Sequence, residues 1–398
     1  MEFPTLYLRK GAERRLRAGH LWVYSNEVDI RRSPLATFEP GQQAELRASN
    51  DKCLGTVFVN PNALICGRLI SRGRRQGMTA QSLTQRLEIA LNLRQRLFPE
   101  PWYRWAFGDS DGLPGLVVDR FGDTIIVQIS TAGMEGFKDA VVTAIQRLVH
   151  PKIIVLRDDG KMRQAEGLSS YIEQVQGEPL ETLEIRENGL VYRVPFAGSQ
   201  KTGWFFDHRL NRARLQSYVS GKRVLDVFSY AGGWGLPALA AGASSLTCVD
   251  SSSQALNAVA DNARANGLAE VELLEGDAFE QLRMLCDEKR RFDVVVVDPP
   301  ALIPRRKDQA AGEQAYERLN QLALRLLDKD GLLVSASCSM HLSRERLLDI
   351  IRRSGRKIDR FIQLLEQGQQ APDHPVIPGI PETDYIKANF VRALTDFH

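Results

Sequence analysis

The sequence predicts an α/β protein in which a doubly wound sheet occupies the second half of the chain, preceded by a small β-barrel and a small α+β module. Three observations carry that reading. In VLDVFSYAGGWG, residues 224–235, an apolar run closing on an acid passes into a glycine-bearing turn and then a helical pattern. Val224, Leu225 and Val227 give that run the look of a parallel strand covered on both faces. Further apolar runs close on Asp250 and on Asp298, so strand and helix patterns alternate through this half. Residues 6–73 instead carry short alternating segments punctuated by Gly and Pro, the pattern of a small barrel.

A chain of 398 residues exceeds what one core usually serves, so two or three domains are expected. Its 43% hydrophobic and 25% charged residues are ordinary for a globular protein, and no apolar run reaches the roughly 20 residues of a membrane span. No secretory signal opens the sequence. Cys53, Cys66, Cys248, Cys286 and Cys338 are an odd number and form no C-x-x-C pair, which suits a reducing cytoplasm and neither a zinc site nor a disulfide framework. A cytoplasmic location and no metal are therefore expected. The net charge of +3 is unevenly placed: residues 1–75 hold 13 Lys or Arg against 7 Asp or Glu, a surplus of +6 that leaves −3 for the rest. A basic amino-terminal module on a nearly neutral body suits a polyanion, nucleic acid above all; a solvated basic face is the alternative.

In chain order, the barrel strands are residues 6–8, 21–24, 43–46, 56–59 and 65–70. Arg9, Lys10, Arg14, Arg15 and Arg17 precede Gly19-His20-Leu21-Trp22, which sets phosphate-seeking charges beside aromatics able to pack on a base or ribose. Trp22 also reads as a core residue. A basic stretch at 71–76 marks a linker, and Leu83, Leu87, Ile89, Ala90, Leu93 and Leu97 give residues 82–97 the periodicity of an amphipathic helix. Strands are expected at 102–107, 116–118, 124–129 and 153–156, with a helix at 134–148. Asp109 and Asp111, in DSDGLPG, read as turn residues. Strands at 183–186 and 190–195 would complete the α+β module. The segment GSQKTGWFFDHRLNRARL, residues 198–215, is polar, glycine-bearing and aromatic at once. Lys201, Arg209 and Arg212 are spaced so that two can face an anion such as a methionine carboxylate, and Trp204, Phe205 and Phe206 can wall an adenine. A packed loop leading into a helix at 210–218 is the competing reading.

Gly232, Gly233 and Gly235 would let the backbone approach a ligand with no Cβ in the way. Asp250 is placed to accept from ribose hydroxyls. A nicotinamide fold would want G-x-G-x-x-G directly after the strand, where Ser229-Tyr230-Ala231 stands instead. The stretch resembles the first motif of the S-adenosylmethionine methyltransferases. A helix at 253–266, strands at 271–274, 293–297, 331–336, 361–365 and 385–392, and a helix at 344–354 complete a seven-stranded, Rossmann-like sheet. Asp277 follows the third strand, where it would meet the adenine edge of a cofactor lying across the switch point. Asp298 and Cys338 stand at the ends of neighbouring strands. A thiolate adding to C6 of a pyrimidine makes an enamine with electron density on C5, which can accept a methyl group before elimination restores the ring. Cys338 is therefore the candidate nucleophile, and Asp298 the residue that would hydrogen-bond the N3 and N4 edge of cytosine. The other four cysteines lie in apolar or helical patterns and read as inert.

LRKGAERRLRAGHLWVYS, PGQQAEL and GTVFVNPNALICGRLISR resemble the PUA RNA-binding module. Together with DGLPGLVVDRFG, RQAEGL, QKTGWFFDHR-x-NR, VLDVFSYAGG, VVDPP, SASCS and DHPVIPGIPETDYIK, the succession resembles the RlmI family of S-adenosylmethionine-dependent RNA cytosine-C5 methyltransferases, which act on large-subunit ribosomal RNA. The resemblance implies three domains, at 1–74 (PUA-like, RNA-binding), 75–188 (α+β) and 189–398 (methyltransferase). It also implies Cys338 and Asp298 as catalytic residues. S-adenosyl-L-methionine is expected at Asp226, Phe228, Ser229, Tyr230, Gly232 and Gly233 of the first loop, and at Asp250 and Ser251 after the second strand. Asp277 and Ala278, Asp298 and Pro299, and Lys201, Phe206, Asp207 and Arg209 complete that set. RNA contacts fall to Arg9, Lys10, Arg14, Arg15, His20 and Trp22. The expected partners are 23S ribosomal RNA, no membrane, and a second copy of the chain as the admitted assembly. Two departures bear on the base: Ala301-Leu302 stands where Lys-Phe is more usual, and His208 replaces a frequent Gln. Methylation of uridine or of an exocyclic amine, a non-catalytic protein binding RNA and S-adenosylmethionine, and an oxidoreductase remain as alternatives.

Overall fold

The computed structural model describes residues 3–73 and 75–395. The chain divides into two compact units, one formed by residues 1–183, 196–204 and 372–383, the other by residues 184–195, 205–371 and 384–398.

In the first unit, β1 (Thr5–Tyr7), β2 (Trp22–Tyr24), β3 (Gln42–Arg47), β4 (Cys53–Val59) and β5 (Ile65–Arg72) form a sheet of order β1-β3-β4-β5-β2. Leu6, Val23, Leu46 and Val57 fill its core. Strand β5 runs into the stretch read as a linker, of which Arg74 lies outside the described residues. A second sheet, β10-β9-β8-β7-β6, is built from β6 (Trp102–Phe107), β7 (Leu116–Phe121), β8 (Thr124–Ile129), β9 (Ile153–Asp158) and β10 (Tyr171–Gln176). Phe58 and Ile70 of the first sheet join Leu83, Leu87 and Trp105 in one apolar cluster.

The helix Ala80–Leu97 starts where Thr79 Oγ1 accepts from Ser82 N–H at 3.1 Å. It buries Leu83, Leu87, Ala90, Leu91 and Arg94 but leaves Ile89 exposed, so its packed face is rotated from the expected stripe. Arg94 is enclosed on that face. Its guanidinium forks onto both carboxyl oxygens of Asp111 at 2.6 and 2.8 Å, and Asp111 also accepts from Phe107 N–H at 2.7 Å. The acids of DSDGLPG are thus more than turn residues: Asp109 lies 3.5 Å from Arg68, and burial pushes its carboxyl above the usual carboxylate range. The helix expected at 134–148 is two, Ala132–Glu135 and Lys138–Val149, interrupted at Gly136 and Phe137. The short helix Lys161–Ala165 and strand β10 have no counterpart among the elements expected from the sequence.

Strands β11 (Thr182–Glu187) and β12 (Leu190–Pro195), expected to finish the α+β module, pair only with each other. Asparagines satisfy the free edge of β12. Val191 N–H donates to Asn266 Oδ1 at 3.0 Å and Arg193 N–H to Asn262 Oδ1 at 2.7 Å, which ties the hairpin to the helix Ser253–Ala265 of the second unit.

The large sheet of that unit comprises β13 (Arg223–Val227), β14 (Ser245–Asp250), β15 (Glu272–Glu275), β16 (Phe292–Val297), β17 (Leu327–Ser337), β18 (Phe361–Gly368) and β19 (Lys387–Leu394), in the order β15-β14-β13-β16-β17-β19-β18. Strands β13 to β17 run parallel, and β19 is antiparallel to both its neighbours. Leu225, Val227, Val295, Val297 and Leu333 are fully enclosed, as their unbroken apolar runs require. Strand order reverses between β13 and β16, so the crevice of a doubly wound sheet opens at their carboxyl ends.

Candidate active site

The loop after β13 is held by the neighbouring strand and by an acid. Phe228 and Ser229 N–H groups donate to Val249 O at 2.9 and 3.1 Å, and Tyr230 N–H donates to Asp250 Oδ2 at 2.9 Å. Asp250 Oδ1 accepts from Ser252 N–H at 3.0 Å, so this carboxylate orders the loops after both β13 and β14. Phe228 and Tyr230 sit at φ +65° and +49°, left-handed conformations that side chains rarely adopt and that cluster at binding sites.

Gly232 and Gly235 of this loop are required by protein packing. A Cβ on Gly232, at φ +85°, would lie 2.7 Å from Leu236 Cγ, and one on Gly235 would lie 2.7 Å from a Leu246 methyl and 3.0 Å from Asp226 Oδ2. Asp226 itself is fully buried, with Oδ2 accepting from Gly235 N–H at 2.8 Å. Burial pushes its carboxyl up to about 7. It anchors the start of the helix Gly235–Ala240, a role the expected cofactor contact did not include. Its Oδ1 finds no hydrogen-bond partner among the described residues. Asp250, half-exposed, keeps carboxylate surface able to accept from the hydroxyl groups of S-adenosylmethionine.

Other expected contacts have work within the protein. Asp277 caps the helix Ala278–Asp287, its Oδ1 accepting from Phe279 and Glu280 N–H at 2.9 and 3.1 Å. Ala278 is buried in that helix and Ser251 is exposed. Arg212 is enclosed and forks onto Glu187 at 2.7 and 3.1 Å, so it is not available to face an anion as expected. Arg209 lies 3.9 Å from the same carboxylate, with its guanidinium over the ring of buried Phe206. Asp207 Oδ2 accepts from Tyr385 O–H at 2.7 Å, and Phe205 meets Tyr230 edge to face. Lys201 and Trp204 belong to the first unit, where Thr202 Oγ1 donates to Asp119 Oδ2 at 2.5 Å.

Asp298 and Cys338 follow the paired strands β16 and β17. Trp234 Nε1–H donates to Asp298 Oδ2 at 2.9 Å, and buried His208 points Nε2 at Oδ1 from 3.5 Å. Asn211 Nδ2 lies 3.1 Å from His208 Nδ1; with the amide as donor, the imidazole proton sits on the nitrogen facing Asp298. The sulfur of Cys338 reaches Pro299 O at 3.9 Å, beside that carboxylate in sequence. Its flanking serines are fully buried and share one phenol: Tyr316 Oη lies 2.8 Å from Ser337 Oγ and 3.0 Å from Ser339 Oγ. Ser339 N–H donates to Ser337 Oγ at 3.1 Å and Ile303 N–H to Ser339 Oγ at 3.2 Å. This clamp leaves Cys338 as the partly exposed member of the turn. Burial pushes the Tyr316 phenol up to about 12, which keeps it a neutral donor. Tyr316→Phe should therefore lower stability by roughly 1–3 kcal/mol, readable as a reduced urea midpoint at unchanged slope.

The remaining thiols are all drawn toward the neutral form. Cys66 and Cys248 are buried, and burial lifts both, Cys66 to about 12. Cys53 and Cys286 are also raised by burial. Trp234, Tyr316, Glu187 and Lys387 join the site without having been expected there. Lys387 opens the strand Lys387–Leu394, which also holds Asn389 and Arg392, so its charge does not mark it out in the sequence.

In the first unit, Lys10, Arg14 and Arg17 are exposed, as is Arg9, whose Nε donates to Val28 O at 3.0 Å. Arg15 pairs with Glu27 at 2.8 Å. His20 is buried and accepts from Trp22 N–H at 3.0 Å, so it holds the turn, while Trp22 is half-buried. Among the described residues no helix is long and apolar enough to cross a membrane.

The family described as S-adenosylmethionine-dependent methyltransferase matches residues 160–383, and a PUA-like domain matches residues 6–72. A relative from Klebsiella pneumoniae subsp. pneumoniae, named ribosomal RNA large subunit methyltransferase I, is 34% identical over 98% of this chain and 99% of its own. A protein of the same name from Escherichia coli O1:K1 / APEC is 33% identical, with 98% and 99% covered. Among solved structures, one described as a SAM-dependent methyltransferase from Streptococcus mutans superposes with a TM-score of 0.82 at 21% identity, covering 98% of this chain and 100% of that one.

Proposed function

The chain belongs to the S-adenosylmethionine-dependent methyltransferase family that includes ribosomal RNA large subunit methyltransferase I, and on that footing we propose that it methylates a cytosine at C5 in large-subunit ribosomal RNA through a covalent adduct with Cys338. The observation that carries the reading is the placement of a clamped, partly exposed thiol and a carboxylate after adjacent parallel strands. S-adenosylmethionine supplies an electrophilic methyl group on a sulfonium; Asp250 and the loop of Phe228, Ser229 and Tyr230 are the residues proposed to hold it.

The Cys338 thiolate adds to C6 of the base, forming a C–S bond and moving the C5=C6 electron pair toward C5. Asp298, fixed by Trp234, hydrogen-bonds the N3 and N4 edge and favours protonation at N3 as charge builds. Once C5 carries its methyl group, a base takes the C5 proton, and the electron pair of that C–H bond re-forms C5=C6 as the C–S bond breaks and the thiolate departs with its own pair.

Residues 1–74 are proposed as the RNA-binding module, 75–188 as a central α+β domain and 189–398 as the methyltransferase domain. The PUA-like match and the basic surplus of the amino-terminal stretch support the first assignment. Because Phe58 and Ile70 complete a shared core, charge replacement is a cleaner test of that module than deletion. Replacing Lys10, Arg14 and Arg17 together by alanine should weaken RNA binding and flatten its logarithmic salt dependence by about 0.7–0.9 for each phosphate left unneutralised. An unchanged salt slope in filter binding would remove these residues from the RNA surface.

The function itself is tested by mass mapping of ribosomal RNA from cells with and without the protein. Loss of one 5-methylcytidine from the large-subunit RNA is expected. A missing methyl group on uridine or on an exocyclic amine would overturn the base assignment.

A further inference from the structure

A free thiol has a pKa of about 8.5, so a cysteine nucleophile near neutral pH needs a setting that favours its thiolate. The antiparallel pairing of β17 with β19 sets Lys387 opposite Ser337, one residue before the cysteine. Lys387 is almost wholly buried at 3% exposure, and its Nζ donates to Ser339 O at 2.7 Å, the carbonyl of the residue after the cysteine. Lys387 thus meets the residues on either side of the cysteine, Ser337 through the strand pairing and Ser339 through its ammonium, while the Tyr316 phenol holds both serine hydroxyls.

We propose that Lys387 is the positioning residue that activates Cys338: its ammonium fixes the turn and stabilises the thiolate that attacks the base. The proposal rests on the reading of Cys338 as the nucleophile. The charged groups facing this lysine are few. Asp384 favours its ammonium, Arg344 opposes it, and Cys338 favours it; by reciprocity the ammonium favours the thiolate. Burial, the largest influence, brings Lys387 down to about 8, so it is still largely charged at neutral pH. In the activating step the thiol releases its proton to solvent, the S–H electron pair stays on sulfur, and Lys387 keeps its own protons. The same ammonium stabilises the thiolate as a leaving group when the C–S bond breaks.

The test uses the full-length chain and its Lys387→Met and Lys387→Arg variants. The rate at which iodoacetamide alkylates Cys338 is followed against pH by mass spectrometry of the peptide that carries it. In the wild type the inflection should fall below about 8.5. Lys387→Met should raise it by at least one pH unit and slow alkylation at pH 7 about tenfold, because the thiolate fraction falls in proportion. Lys387→Arg, which keeps the charge, should leave it near the wild-type position. S-adenosylmethionine binding by calorimetry should persist in both variants and serves as the check on folding. A Lys387→Met profile that coincides with the wild type overturns the proposal, as does an equal upward shift in both variants. A wild-type inflection at or above the ordinary thiol value overturns it without recourse to any variant. The readout involves no RNA, so failure of the C5 reading, seen as methyl transfer surviving in Cys338→Ala, remains distinguishable from failure of this one.

Discussion

Replacing Cys338 by alanine should abolish methyl transfer to RNA, with a loss on the order of 10³-fold or more, while leaving S-adenosylmethionine binding intact. The size follows from the chemistry: without the C–S bond, C5 of an aromatic pyrimidine has no electron pair to offer, and no other part of the site substitutes for a missing nucleophile. Retention of the cofactor follows from the structure. The loop after β13 is ordered by Val249 and Asp250, and the turn that carries Cys338 by Tyr316 and Ile303, so the two do not share their supports. Single-turnover transfer from labelled S-adenosylmethionine measures the loss, and calorimetry the binding. A variant that keeps substantial activity would point to exocyclic-amine methylation, which needs no covalent step.

Asp250→Ala should act on the other half of the reaction. It removes the acceptor of the Tyr230 and Ser252 N–H groups together with the carboxylate proposed for the ribose diol. A hydrogen bond to a charged group is worth roughly 1.5–3 kcal/mol, so affinity for S-adenosylmethionine should fall by about ten- to 150-fold when one such bond is removed. The sheet should stay folded, since Asp250 stands at the end of β14 and Val249 supplies the buried packing. Calorimetry with unchanged affinity would take Asp250 out of the cofactor site.

What could be read from the sequence follows from which signals are local. The position of Asp250, Asp298 and Cys338 at the carboxyl ends of parallel strands is legible because unbroken apolar runs mark such strands. The same rule is incomplete at Asp277, which also caps a helix. Asp-Ala-Phe-Glu is an N-cap followed by a helix start, yet the strand-end rule assigns the acid to a ligand and passes over the helix Ala278–Asp287. Asp226 illustrates a second limit, because a strand-end acid carries no sign of whether it faces a crevice or is enclosed under the next helix. Long-range pairing is a third. Nothing in the spacing of Glu187 and Arg212, or of Tyr316 and the serines beside Cys338, announces that they meet. A tyrosine inside an amphipathic helix reads as core, which Tyr316 is, until the placement of its hydroxyl is known. Likewise, the asparagines that close the edge of β12 look like any others on a helix.

The covalent mechanism is tested most directly with RNA that carries 5-fluorocytosine at the target position. Fluorine at C5 cannot leave as a proton does, so the methylated adduct cannot eliminate. One methyl group should be transferred per enzyme, with a protein–RNA complex, joined through Cys338, that survives denaturing gel electrophoresis and is absent with Cys338→Ala. Turnover of the fluorinated RNA with no trapped complex, or a complex that forms equally well without the Cys338 thiol, would contradict the covalent mechanism.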